Sequence, residues 1–271
     1  MLISIKQLAS EIIDGSLIVI PPDYSFVSMA VTRALIKRKA RNLRLIAAPQ
    51  TGLQADLLIG SGCVIEIESA AVSLGELGTA PRFVKAAKDK KISIRDTTCP
   101  AIHAALQASE KGIPFIPLRG IIGSDILDNR PDWQVLNNPF EKTFDDPITL
   151  LPAIKPDFAV FHAPFADKFG NIFIGRRREL SLMSHAAKKT YVTVETIQDT
   201  NFMECENTAA CALPALYVRG IAESPNGSWP LGLVGYYKAD LKNLKIYAQL
   251  AKSHEGFDEY MKIHGFDKPM S

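Results

Sequence analysis

GSLIVIPPDYSFVSMAVTRALIKRKARNLRLIAA, residues 15–48, decides how the chain is read. SLIVI (16–20) is a short, β-branched apolar run directly after a glycine, the pattern of a buried strand. Val27, Ala30, Val31, Ala34 and Leu35 then fall at i, i+3, i+4, i+7 and i+8, one stripe of an amphipathic helix that runs into the basic segment KRKAR. LRLIAA (43–48) is a second apolar strand. A strand, a helix and a strand in so few residues, with both strands apolar along their length, predict parallel pairing with helical cover on both faces.

The unit repeats outward from there. A short helix is expected around 53–58, then the strand VIEIE, then PRFVKAAKDK, which opens with proline at a first helical position. ISIRD (92–96) is the next strand, and PAIHAALQASEKG is a helix opened by proline and closed at Gly112. IPFIPL, FAVFHA (158–163), NIFIG, the helix LSLMSHAAKK and the strand YVTVE continue the alternation. Residues 120–152 are rich in Asn, Asp and Pro and read as a long irregular excursion, of the kind usually kept for function. Residues 213–240 are strand-like with many Gly and Pro. No repeat or linker stands out. The expectation is α/β: one domain over 1–271, a mainly parallel sheet with helices on both faces, and a C-terminal helical extension at about 241–264.

Composition narrows the class. At roughly 150 residues per domain, 271 residues make one or two domains, enough to bury a sizeable core. Lys and Arg number 31 and Asp and Glu 29, so the net charge is 31 − 29 = +2, without the basic surplus that nucleic acid demands. No apolar run reaches the ~18–20 residues of a bilayer span. MLISIKQLAS has a helical period and one Lys, unlike a signal peptide. Four cysteines without a CxxC pair suggest neither zinc nor a disulfide framework. The expectation is a cytoplasmic, thiol-reduced protein with no metal, no nucleic-acid partner and no membrane segment.

Ligands of such sheets sit beyond the carboxyl ends of the strands, where helix N-termini point. RDTTCP fits: Asp96 ends a strand, and Cys99 and Pro100 open a helix whose partial positive charge favours an anion or a thiolate. Asp96 as a cap and Cys99 as a packing group are the plainer readings. LRGIIGSD (118–125) follows the next strand; Gly120 and Gly123 permit close backbone approach, while Arg119, Ser124 and Asp125 supply polar groups. A glycine-bearing turn with a surface ion pair explains the same residues. PQTG, with Thr51 and Gly52, and SAAVSLGELG (69–78), with Ser73 and Gly75, are small-residue loops able to accept a pantetheine or phosphate chain. His162 and Asp167, with Asn171, make a conceivable His–Asp pair, although a histidine ending an apolar strand is more often structural.

Several stretches, taken in order, resemble the alpha subunits of family I coenzyme A transferases. The branch is that of the glutaconate CoA-transferase alpha chain, together with the IpdA-type subunits of steroid-ring-cleaving hydrolases. The stretches are DGSLIVIPP, DLLIGSG, AVSLGELGTAPRF, GIPFIPLRGIIGSD, NNPF, LPAIKPDFAVFHAPFADKFGNIFIG, AAKKTYVTVE and SPNGSWP…GYYKAD, together spanning about 14–240. The resemblance implies a NagB/RpiA/CoA-transferase-like fold. It also implies chemistry in which a glutamate, carried by a separate beta subunit, attacks an acyl-CoA thioester while preorganised donors hold the oxyanion. The SENG-type motif of that glutamate does not occur here.

Three departures accompany the likeness. The family's glycine-rich turn after the first strand is replaced by Pro21, Pro22, Asp23 and Tyr24, and proline removes backbone donors. Cys99 stands where the hydrolases are expected to carry a glutamate, with Asp96 on an earlier acidic position. Trp229 stands where a histidine or another aromatic is usual, implying a different acyl group. On this likeness Asp96, Cys99 and Ser124 are expected at the reacting centre. Ser73, Arg119, Gly120, Gly123, Asp125 and Trp229 are expected around the substrate, and Thr51, Gly52 and Gly75 along coenzyme A. The implied protein is the alpha subunit of a heterodimeric or heterotetrameric transferase moving coenzyme A between an acyl-CoA and a small or dicarboxylic acid, with the beta subunit as its partner. It has the CoA thioester as substrate and no permanently bound cofactor. A CoA-thioester hydrolase or C–C lyase on the same scaffold, and a non-catalytic ligand-binding chain, are the alternatives.

Overall fold

A computed structural model describes residues 1–266. The elements, in chain order, are α1 (Ile5–Glu11), β1 (Leu17–Ile20), α2 (Met29–Lys37), β2 (Leu43–Ala47), α3 (Leu53–Gly60), β3 (Val64–Ser69), α4 (Pro81–Lys88), β4 (Ser93–Asp96), α5 (Cys99–Glu110), β5 (Phe115–Leu118), β6 (Gln134–Asn137), β7 (Pro147–Pro152), β8 (Phe158–Asp167), β9 (Ile172–Phe173), α6 (Arg178–Ala186), β10 (Lys189–Gln198), α7 (Glu206–Ala209), β11 (Ala212–Leu213), β12 (Gly220–Glu223), α8 (Leu241–Leu250) and α9 (His254–Ile263).

The order β12-β10-β8-β1-β2-β3-β4 is parallel at every pairing, and β9 and β11 extend it in antiparallel fashion from β8. Ile18 and Ile20 face one core with Leu8 and Ile12 of α1, α2, α3 and the C-terminal helices; Val19 faces the other, with Ile102 and Leu106 of α5 and Leu180 and Met183 of α6. That alternation is why the strands are apolar along their whole length. From β1 the chain steps outward through β2, β3 and β4 on one side and through β8, β10 and β12 on the other, so the strand order reverses between β1 and β8.

Four expectations change. IPFIPL does not join the main sheet: β5 pairs antiparallel with β7, and β7 with β6, in a separate three-stranded sheet. β5 is only partly covered, and its sheet packs through Leu151 and Trp133 on Ala101 and Ala104 of α5. The stretch 120–152 is therefore not wholly irregular, since it contains β6 and β7. Residues 213–240 hold little strand beyond the end of β11, β12 and a bridge between Leu233 and Tyr237. The C-terminal extension is two helices, with Ser253 capping the second through the Gly256 N–H. No helix among the described residues is long and apolar enough to cross a membrane.

The extension packs on the core through Tyr247, Ala251, Phe257 and Tyr260, and one buried polar contact ties it to α3. Tyr247 of α8 is fully buried and donates its hydroxyl to Asp56 of α3 at 2.6 Å, while the Phe83 N–H donates to the same carboxylate at 2.7 Å. Tyr247→Phe leaves one Asp56 oxygen buried without a donor, so it is expected to cost about 1–3 kcal/mol in urea unfolding. A change within the error of the measurement would show that the contact does not hold the extension.

Candidate functional site

A reversal of strand order leaves a crevice at the carboxyl ends of the two strands that flank it. β1 and β8 pair only at Ile18–Phe158 and Val19–Ala159. Past Ile20 the chain enters Pro21 and Pro22, which have no N–H to continue a ladder. Asp23 follows, half-buried at the crevice. Its Oδ1 accepts from the Gly52 N–H at 3.1 Å and its Oδ2 from the Leu53 N–H at 2.7 Å, so it caps α3 from thirty residues away. Gly52, at the N-cap, has no side chain to do so. A Cβ on Gly52 would run into the Ser73 carbonyl oxygen and the Asp23 carboxylate, which is why this position is glycine. Burial lifts the Asp23 carboxyl to about 6 against the lowering effect of its backbone donors, and the nearby Asp56 carboxylate adds to the rise.

Asp23, Tyr24, Gln50, Thr51, Ser73 and Gly75 line a cleft of about 230 Å³, walled on its apolar side by Leu231, Leu244 and Tyr247. Thr51 and Val72 form a bridge, with the Ser73 N–H donating to the Thr51 carbonyl at 3.0 Å, which brings the two small-residue loops together. Ser73 Oγ accepts from the Gly75 N–H at 3.1 Å and donates to the Gly78 carbonyl at 3.2 Å. The Thr51 hydroxyl is buried and, among the described residues, has no hydrogen-bond partner. The cleft thus gathers Thr51, Ser73 and Gly75 from the sequence-based set, with Gly52 beside it at the N-cap of α3.

The other expected residues sit elsewhere. Asp96 ends β4 and turns back to accept from the Thr97 N–H at 2.9 Å, while its carbonyl accepts from Arg130 at 2.9 Å. Arg130 also pairs with Glu68 at 2.7 Å and Asp132 at 3.0 Å, a buried clamp between the ends of β3 and β4. Cys99 is exposed at the first turn of α5, whose cap is Thr98. Ser124 Oγ donates to the Ile121 carbonyl at 2.8 Å in the turn that also holds Gly120, Gly123 and Asp125. Arg119 is held bidentately by Asp146 at 2.9 and 2.5 Å, and with Asn138 it pulls that carboxyl down to about 2. The Trp229 indole N–H donates to Asp240 at 3.2 Å and its carbonyl accepts from Arg33 at 2.7 Å.

The conceivable His162–Asp167 pair does not form. Asp167 binds Asn171 at 2.7 Å and the Phe202 N–H at 2.8 Å. Fully buried His162 instead meets Glu195 at 2.7 Å through Nε2 and Thr193 at 2.8 Å through Nδ1, and burial holds its pKa down. Tyr237 donates to Glu195 Oε1 at 2.8 Å. Sequence reasoning did not place Asp23 in the candidate site: it registered only as a departure at the turn. Its being the sole charge between β1 and α2 was the available signal.

No protein-family model matches the chain. It is 26% identical to the alpha-type chain of the 3-oxoadipate CoA-transferase of Pseudomonas knackmussii, over 96% of this chain and 93% of that one. An uncharacterised protein of Archaeoglobus fulgidus is 30% identical over 87% of this chain, which spans about half, 52%, of that protein's length. The crystal structure of glutaconate coenzyme A-transferase from Acidaminococcus fermentans superposes with a TM-score of 0.89, covering 99% of this chain and 90% of that one at 24% identity, and establishes the fold.

A raised aspartate contributes stability that is fully present below its unfolded pKa and is lost as pH rises through the folded value, here between about 4 and 6. Asp23→Asn removes that dependence. The stability of the variant relative to the parent is expected to improve by roughly 1–3 kcal/mol between pH 4 and pH 8. Urea unfolding at both pH values reads it, and a difference that does not move with pH would mean an ordinary, solvated carboxyl.

Proposed function

We propose that this chain, a relative of the alpha-type chains of coenzyme A transferases in both sequence and fold, is the alpha subunit of a two-chain enzyme that moves coenzyme A from an acyl-CoA thioester to a carboxylic acid. The observation that carries the reading is its end-to-end match with the chain of the 3-oxoadipate CoA-transferase. A glutamate of the partner chain adds to the thioester carbonyl, and collapse of the tetrahedral adduct expels the CoA thiolate and leaves an acyl–glutamyl anhydride. The thiolate adds to the glutamyl carbonyl and releases the first acid. The resulting glutamyl-CoA thioester passes coenzyme A to the second acid by the same two additions in reverse. No net proton enters.

On this reading Thr51, Gly52, Ser73 and Gly75 run along the pantetheine arm, with the buried Thr51 hydroxyl free to donate to an amide of that arm. Asp96 and Cys99 sit at the same carboxyl edge of the sheet, since β4 runs parallel to β3 and β3 to β2, and with Ser124 they form the wall that faces the partner. The CoA thioester is a substrate, and no cofactor is held permanently. Four free thiols support a cytoplasmic setting, and the assembly is a heterodimer or heterotetramer.

One observation favours the alternative of a hydrolase or C–C lyase on this scaffold. The Asp23 carboxyl, lifted to about 6, is matched to proton transfer near neutrality, which CoA exchange does not require. Trapping separates the two. The assembled enzyme, incubated with acyl-CoA and then hydroxylamine or borohydride, is expected to carry the modification on a partner glutamate. Turnover without any such adduct would establish the alternative, and full turnover by this chain alone would overturn the two-chain reading.

A further inference from the structure

Asp23, Tyr24 and Leu231 line two clefts at once. The first is the small-residue cleft described above. The second lies on the other side of the same ridge, about 810 Å³ in volume, and is bounded by the segment 231–241, including Val234, Tyr236, Tyr237 and Leu241. The geometry points to the ridge as the place of the thioester, with coenzyme A on the small-residue side and the acyl group in the second cleft. We infer that the substrate class is an acyl-CoA whose acyl group is a bulky hydrocarbon. This deepens the transferase reading and rests on it only in taking an acyl-CoA as the ligand.

Three features of the second cleft support a hydrocarbon occupant. One of its polar groups is turned away: the Tyr237 hydroxyl donates to Glu195 and accepts from the Ser228 N–H at 3.1 Å, so the tyrosine contributes its ring to the cleft. Its apolar wall is open to ligand, with Tyr24, Val234, Tyr236 and Leu241 between 45 and 63% exposed. Isolated apolar residues at a surface need no explanation, but a contiguous set beside a polar cleft does. The wall is also fixed in shape. Leu233 and Tyr237 exchange two backbone hydrogen bonds of 3.0 Å, and Gly232 is pressed so close to Ala239 and Tyr237 that a Cβ would meet their backbone atoms at 2.7 and 3.0 Å. Edge-on contact of Tyr236 with Phe165, 5.3 Å between centroids, and the bond of Tyr237 to Glu195, which His162 also holds, tie this wall to β8 and β10. A rigid apolar wall is a preorganised site for an apolar ligand.

The charged side chains on its lining are Asp23 and Lys238. A short dicarboxylic acyl group that placed its far carboxylate against Val234 or Leu241 would find no donor there, and beside Asp23 it would meet a second carboxylate that repels it when ionised. Lys238 is exposed enough that pairing with a carboxylate there is worth little.

The test uses the assembled two-chain enzyme and three probes: cyclohexanecarbonyl-CoA, glutaryl-CoA and acetyl-CoA. The expected order of kcat/KM places cyclohexanecarbonyl-CoA at least tenfold above both others. Val234→Trp, at an exposed position where folding is not at stake, is expected to reduce the preference for cyclohexanecarbonyl-CoA over acetyl-CoA at least tenfold, with the complex intact by size-exclusion chromatography. A preference for glutaryl-CoA, an equal loss for all three esters, or dissociation of the complex by the tryptophan would overturn the inference; the last would make the cleft an interface between chains. Calorimetric binding of cyclohexanecarbonyl-CoA against free coenzyme A gives the same comparison without turnover. Absence of reaction with every ester, alongside tight binding of the cyclohexyl one, would count against the transferase reading and leave the acyl cleft standing.

Discussion

Two prolines end the pairing of β1 with β8, and the crevice depends on that interruption. Had Pro21 and Pro22 carried N–H groups, β1 could have continued along β8, which itself runs on to Asp167 beside β10. Instead β8 finds another partner at this level: the His162 N–H donates to the Phe26 carbonyl at 2.6 Å, from a loop that has already swung away from the strand. The space between is filled from several directions. Ser228 Oγ donates to the Val27 carbonyl at 2.8 Å, the Ala30 N–H donates to the Gly227 carbonyl at 2.9 Å, and Gly227 lies so close to the His162 ring that no side chain fits. The interruption that opens the sheet thus also dictates which residues must be small around it.

Polar groups buried by this arrangement are costly unless paired, and most are. Glu195 accepts from His162, Tyr237 and the Asn226 N–H, the last at 2.7 Å, and these bonds hold its carboxyl below the usual range against the opposing effect of burial. Asp23 has backbone donors too, yet burial and Asp56 outweigh them, so its carboxyl moves up. The contrast is informative because both carboxyls lie near the same crevice. Glu195 has a histidine and a tyrosine to balance it and serves as an anchor for the 226–237 segment; Asp23 has only amides, faces open space and keeps a titratable proton near neutral pH.

Much of the layer structure was legible because period is a local property. SLIVI, LRLIAA and YVTVE became strands, and the stripe from Ala30 to Leu35 became α2, since burial on two faces leaves a continuous apolar run and burial on one leaves a helical stripe. Strand order was not legible, because the reversal between β1 and β8 joins residues about 140 apart. Attention therefore went to the turns after ISIRD and IPFIPL, where glycine and charge are conspicuous, rather than to PPDY. IPFIPL misled for a related reason: a short apolar run does not declare whether its neighbours are parallel or antiparallel, and only β7, at the far end of the excursion, settles it. PQTG and SLGELG were legible as small-residue loops from their composition, although the bridge that joins them is a tertiary fact.

The position of Asp23 bears on which charges the crevice tolerates. A second carboxylate brought beside an ionised Asp23 is repelled, and the repulsion grows as solvent is excluded. A carboxyl already lifted to about 6 moves further toward its neutral form beside another negative charge. The N–H groups at the start of α3, now bonded to Asp23, then face a neutral carboxyl and are held less tightly by it. The amide donors that Pro21 and Pro22 lack are present nearby at Gly52 and Leu53, and Asp23 takes both of them.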